Sequence, residues 1–287
     1  MGRLFKSFLF KISKDLTFRI TLIIGIALAL FMTLIYFLID FGSGAFNGES
    51  EHFLTGPMML MNSFSPVQNF GLAVPINLIS FICLEFSQGT IRNKIIAGHS
   101  KFKIYASLFL SGLVFTFALM FVYISICTLL GTLVGGFDLS KAVISGLLSR
   151  TNIDGVFILQ TIVIAIFVYI TIVSFTVFFA TLFRVIGPCI PIVLIVLLFL
   201  YFAGTMVVIL QEAFDSDVPV QVMKILNPLF ALSNGGDTEV ILVDGAPTGV
   251  RSYYAVDTFV SALVNNTVYT ALFFVGGALI FKKRDVK

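Results

Sequence analysis

Six stretches of about twenty or more residues without a charged side chain run through this sequence, and they decide what it can fold into. Each helical residue advances about 1.5 Å, so about twenty apolar residues cross the roughly 30 Å hydrocarbon layer of a bilayer. The windows are Ile20 to Ile39, Phe64 to Leu84, Ile104 to Leu130, Val156 to Phe183, Val185 to Leu210 and Thr258 to Phe281, the last interrupted by Asn265 and Asn266. Between them lie short segments that hold nearly all the charge. Only 11% of residues are charged and 58% are hydrophobic, at a mean hydropathy of +1.05, whereas soluble domains carry about 25% charge. The expected fold class is all-α, a polytopic membrane protein of about six transmembrane helices.

Five basic residues, Arg3, Lys6, Lys11, Lys14 and Arg19, precede the first window. That window is too long for the core of a cleaved secretory signal and reads as a retained span. The basic segment, residues 1–19, places Leu4, Phe5, Phe8, Leu9 and Ile12 on one helical face, as an amphipathic helix lying on the membrane would. In a six-span arrangement the side carrying the termini also holds Arg92, Lys94, Lys101, Lys103, Arg184, Lys282, Lys283, Arg284 and Lys287. The other side holds only Lys141, Arg150, Lys224 and Arg251. The positive-inside rule then puts both ends in the cytoplasm and the protein in the cell membrane.

Other features carry less. Pro75, Pro188 and Pro191 are tolerated in spans and suggest kinks. Gly131 and Gly135 form one GxxxG, read as simple close packing, and the Asn265-Asn266-Thr267 sequon lies at the membrane edge and carries no weight. Cys83, Cys127 and Cys189 sit inside apolar runs without CxxC spacing and read as inert thiols. The formal charge of +3 is spread over several loops without aromatic interleaving, which disfavours nucleic acid. HExxH and GxSxG are missing, and His52 and His99 fall in loops on opposite sides, so a metal or triad enzyme is not expected. With no ionisable residue well inside a window, an ion-driven carrier is disfavoured. Any path through the bundle would be apolar, among 33 phenylalanines, and would suit lipids, amphipathic peptides or hydrophobic drugs.

The most informative segment joins the second and third windows, residues 86–103. Gly89 permits a sharp turn, Thr90 can cap a short helix, and Ile91, Ile95 and Ile96 share a face opposite Arg92, Asn93 and Lys94. Gly98 can end that helix in a left-handed cap and Ser100 can start the next. A stiff helix fixed to two spans transmits displacement. A plain basic loop that sets topology and binds anionic headgroups fits the same spacing.

The run Glu85, Gly89, Thr90, Ile91, Arg92, with Gly98-His99-Ser100 and Lys101 after it, resembles the signature of type-2 ATP-binding-cassette (ABC) permeases. Many members have Pro-x-Ser-Arg where this chain has Gly98-His99-Ser100-Lys101. The resemblance implies that this link is a coupling helix docking into a groove of an ATPase subunit, with Glu85, Gln88, Gly89, Thr90, Ile91, Arg92, Lys94, Ile95 and His99 as coupling residues. Between the fifth and sixth windows, Pro219, the pattern Val220, Val222, Met223, Ile225, Leu226, and then Asn227-Pro228-Leu229 are similar to the family's outer re-entrant helices. The stretch is too short to span. The resemblance makes Pro219, Asn227 and Pro228 an outer gate within an outer segment, residues 211–257. It implies one permease domain, residues 1–287, of a bacterial-type exporter. Since the chain has no Walker A motif, ATP and Mg would be bound by a separate cytoplasmic ATPase in two copies. A second permease, identical or paralogous, would complete the path, with membrane lipids around it and no cofactor or metal in this chain. The alternative from another class is a non-transporting membrane anchor or sensor that recruits a cytoplasmic partner.

Overall fold

A computed structural model describes residues 2–43, 45, 53–65, 70–137, 151–153, 155–214, 218–234, 237–243 and 246–284. The expected positions of His52, Lys141 and Arg150 lie outside the described residues. The chain is an all-α polytopic membrane protein in its spanning part. Helix α1 (Gly2–Lys14) is followed by α2 (Leu16–Gly42), α3 (Gly56–Asn62), α4 (Ala73–Ser87), α5 (Thr90–Ile96) and α6 (Lys101–Gly135). Then come α7 (Gly155–Phe183), α8 (Ile186–Phe214), α9 (Val218–Leu226), α10 (Phe230–Asn234) and α11 (Val256–Lys283). Helices α2, α6, α7, α8 and α11 are each long and apolar enough to cross a membrane.

The second expected span is shorter than its hydropathy window. A 3-10 turn, Phe70–Leu72, leads into α4, whose 15 residues measure about 22 Å. Beyond Ser87 the axis bends by 58° into α5. Pro75 and Pro188 fall in the first turns of α4 and α8, where a helix has no intrahelical acceptor to lose, so neither kinks it. Pro191 alone of the three lies inside its helix.

Helix α7 is the axis of the bundle, with half of its span window buried, against 17% for α2 and for α8. It packs most extensively on α11 and also on α4, α6 and α8. Tyr169, Val168, Ala165 and Ala180 are buried along it. The peripheral helices keep large apolar side chains outward, Phe31 and Leu34 on α2 and Phe199 and Phe202 on α8, as lipid-facing helices do. Glycines set the closest approaches. A Cβ at Gly131 would stand 2.7 Å from Met59 Cγ and 2.8 Å from the Thr55 carbonyl, and one at Gly135 would strike the Leu54 carbonyl. The GxxxG is thus the seat of α3 against α6.

The chain ends gather at one end of the bundle. Lys11 of α1 pairs with Glu85, the Lys101 ammonium donates to the Lys282 and Arg284 carbonyls at 3.2 and 2.8 Å, and Arg284 donates to the Leu182 carbonyl. Arg184 turns the chain from α7 to α8 in the left-handed region, φ 60°, with its guanidinium 5.1 Å over the Phe86 ring. This is the basic end. The far end carries α3, α9, α10 and a small sheet that hydropathy did not foreshadow. Its strands are β1 (Thr151–Ile153), β2 (Asp237–Val243) and β3 (Ala246–Tyr253), in the order β1-β3-β2. β2 and β3 pair antiparallel, Asp237 opposite Tyr253 and Val240 opposite Val250, with an irregularity between Ile241 and Leu242. β1 pairs parallel to β3, Thr151 opposite Val250.

Candidate functional site

The residues between α4 and α6 form a compact turn held by one carboxylate. Gly89, at φ 67° in the left-handed region that glycine adopts without penalty, is the N-cap of α5. Thr90 therefore does not cap α5 as its type suggested. It occupies the first helical position and its hydroxyl turns back, donating to Glu85 Oε2 at 2.6 Å and to the Glu85 carbonyl at 2.8 Å. At the other end, Gly98 lies at φ 85°, His99 N donates to the Lys94 carbonyl at 3.2 Å and Gly98 N to the Ile95 carbonyl at 3.0 Å. That pair of bonds is a Schellman cap. Ser100 then caps α6, its side chain accepting from Lys103 N.

Glu85 is fully buried and is met from two sides. Lys11 of α1 pairs with one carboxylate oxygen and also donates to Gln88 Oε1 at 3.1 Å. Lys94 of α5 reaches the other oxygen at 3.3 Å, and its ammonium stands 3.2 Å over the Phe8 ring of α1. Lys94 is thus not on the outward face with Arg92 and Asn93, as its spacing suggested. It is half-buried, and burial lowers its pKa from the ordinary lysine value while Glu85 pulls it the other way. Ile91 is fully buried and Ile95 packs against the core, but Ile96 is 73% exposed, so the three isoleucines do not share one face.

The amphipathic face of α1 sits on protein. Leu4, Phe8 and Ile12 are buried, Phe5 and Leu9 half-buried, and the helix packs against α6 and α2. Helices α1, α4 and α5 are thereby tied into one body around Glu85. An open groove of about 390 Å³ runs between α1 and α5, lined by Leu4, Ser7, Asn93, Lys94, Ala97 and His99. Arg92, Asn93, Ile96 and His99 are exposed beside it. Among the described residues no three His, Cys, Asp or Glu side chains come together in a way that could hold a metal. What this arrangement offers is a rigid, bent connection with a polar outer surface.

At the far end the residues after α9 carry the anchor. Asn227 ends the helix, accepts from Leu229 N at 3.0 Å and donates from its amide to the Leu200 carbonyl of α8 at 2.6 Å. The Pro228 carbonyl accepts from Asn266 Nδ2 of α11 at 3.0 Å. Asn266, fully buried, also receives the Thr171 hydroxyl of α7 on Oδ1 at 2.8 Å. Tyr269 donates to the Leu226 carbonyl at 2.8 Å and Tyr254 to the Ala231 carbonyl at 3.3 Å. The two asparagines that weakened the sixth window are part of the clamp for α9 and α10. Pro219 is not in this cluster. It lies in the first turn of α9, a helix with no buried residue, whose Val222, Ile225 and Leu226 face outward.

A protein-family model covers residues 20–287 of the chain. The chain belongs to DUF2705, a family described as a protein of unknown function. No curated protein and no solved structure matches it. In this DUF2705 chain the matched region includes Glu85, Thr90, Lys94 and the whole far-end clamp, whereas α1 with Phe8 and Lys11 precedes it.

Proposed function

We propose that this chain is the membrane-spanning permease subunit of an ATP-driven ABC exporter in the cell membrane, its basic end in the cytoplasm. The single observation that supports this reading is the Glu85 clamp. It fixes α5 to α4 at a 58° bend and leaves Arg92, Asn93, Ile96 and His99 exposed, as a lever gripped by a separate motor requires. The excess of Lys and Arg at that end supports the orientation. Nucleotide and Mg belong on the partner ATPase, because this chain has no phosphate-binding loop.

In this reading two copies of the ATPase close on ATP and push α5, and the body formed by α1, α4 and α5 rocks the bundle against a second permease, identical or paralogous. The α9 and α10 cap, with Asn227 and Pro228 buried in it, closes the outer end of an apolar path for a hydrophobic or amphipathic peptide, lipid or drug. Purification of the chain from its own membrane tests the reading. A stoichiometric ATPase should co-purify, and Ile96→Asp or Arg92→Glu should release it without loss of the folded permease. A preparation with no nucleotide-hydrolysing subunit, or ATPase binding indifferent to both changes, would overturn it.

A further inference from the structure

A cavity of about 170 Å³ opens in the far half of the bundle between α2, α3 and α6. Half-buried Met32, Tyr36 and Asn62 form its mouth, with Asn62 Nδ2 donating to the Tyr36 hydroxyl across it at 3.1 Å. Its floor is buried Ser63, Tyr123 and Cys127, the thiol in hydrogen-bonding contact with the other two. Met32 and Tyr36 belong to the span-length helix α2, so the mouth lies at bilayer depth.

We infer that this cavity is a binding site for the head of an uncharged, hydroxyl-bearing amphiphile that enters sideways from the membrane. Size sets the first limit: an engineered cavity of about 150 Å³ holds benzene, so this one holds a head group and not a whole lipid. The lining sets the chemistry. Hydroxyl and amide groups at hydrocarbon depth need hydrogen-bonding partners, and among the described residues no charged side chain lines the wall to neutralise an ion. The carboxylate of α2 at this end, Asp40, is turned to the backbone N–H groups of Phe53 and Leu54 at 2.6 and 3.1 Å. Met32 and Met59 give the walls a soft, adaptable surface along which an alkyl chain can leave. The Asn62–Tyr36 bond is the latch that a ligand hydroxyl would exchange for its own bonds. The inference stands apart from the exporter reading, since it concerns binding to the purified chain without nucleotide.

The test uses the full chain in phosphatidylcholine nanodiscs and a diazirine-bearing hexadecanol as photoprobe. Cross-links should concentrate on peptides containing residues 32–36 and 59–63. Unlabelled hexadecanol should suppress them, while hexadecylammonium and hexadecyl sulfate at the same excess leave them in place. Tyr36→Phe should weaken labelling about fivefold, the effect of one lost hydrogen bond. Ser63→Leu, which fills the floor, should abolish it, and Phe31→Leu on the lipid-facing surface should change nothing. Labelling spread evenly over the outward helices, equal competition by the charged amphiphiles, or indifference to Tyr36→Phe would each overturn the site. So would labelling of Cys127 by a water-soluble maleimide that hexadecanol does not block, which marks a cavity holding water only.

Discussion

The two ends of the bundle fasten their irregular backbone by opposite chemistry. At the basic end one buried carboxylate, Glu85, collects a lysine from α1, a lysine from α5 and the Thr90 hydroxyl. At the far end amides do most of the work: Asn227 and Asn266 donate to the carbonyls of Leu200 and Pro228 with no charged side chain among the described residues on those bonds, and the Lys224–Asp257 pair, at 3.2 Å, ties α9 to α11 beside them. The difference follows from depth. A carboxylate at the water boundary can be neutralised by flexible lysine stems that reach in from solvent. Carbonyls packed between apolar spans, as those of Leu200 and Pro228 are, are best answered by short neutral donors, because an ion among apolar side chains costs more than it returns. A charged clamp is strong and sensitive to its surroundings, and an amide clamp is weaker and indifferent to salt.

The sharpest way to break this contrast is Glu85→Ala, which leaves Lys94 and Lys11 facing each other near a buried site. It should cost about 3 kcal/mol in unfolding measurements and release the amides of α5 to hydrogen exchange. Protection unchanged in α5 would mean that the carboxylate is not what holds the bend. Next in size comes Gly204→Leu on α8. A Cβ there would stand 2.6 Å from Ser233 Oγ and 3.1 Å from Asn227 Nδ2, so the cap must lift, at about 2 kcal/mol. Exchange should rise in α9 and α10 alone. Asn266→Leu removes the donor to Pro228 and should cost about 1 kcal/mol, within the range of interhelical polar contacts in membranes. A cost as large as that of Glu85→Ala would erase the distinction between the two clamps. Lys11→Ala should cost less than about 1 kcal/mol, since that side chain is 42% exposed and largely screened. In wild type, molar salt should loosen α1 on α5 and leave the amide bonds at Asn227 and Asn266 untouched, weakening only the exposed Lys224–Asp257 pair at that end.

Much of this was legible. Windows free of charge located five spans within a few residues, because length and hydropathy leave a bilayer helix little choice. The second failed at its N-terminal edge: apolar composition does not reveal that the helix begins only at Ala73, after the 3-10 turn Phe70–Leu72. At the link, Gly89, Gly98 and Ser100 were readable, since backbone geometry restricts residue type locally. Lys94 was not. Its inward turn depends on a carboxylate in the previous helix, which a seven-residue amphipathic pattern cannot display. Asn265 and Asn266 looked like flaws in a span because their partners, the Lys224 and Pro228 carbonyls, are remote in sequence. The hairpin of β2 and β3 had a signal in the Asp244-Gly245 pair between two β-rich runs. The helical reading of the outer segment passed over it.

The reach of Lys11 also orders events during synthesis. Its acceptor Gln88 lies 77 residues further along the chain, beyond α2, α3 and α4. When α1 leaves the ribosome, the seat for Phe8 and Lys11 does not yet exist, and the helix must wait on the lipid surface with its apolar stripe against the headgroups. It docks only once α4 has been inserted. Whatever protein chaperones insertion would therefore meet this segment twice, first as a peripheral float and then as the last strap drawn across a finished turn.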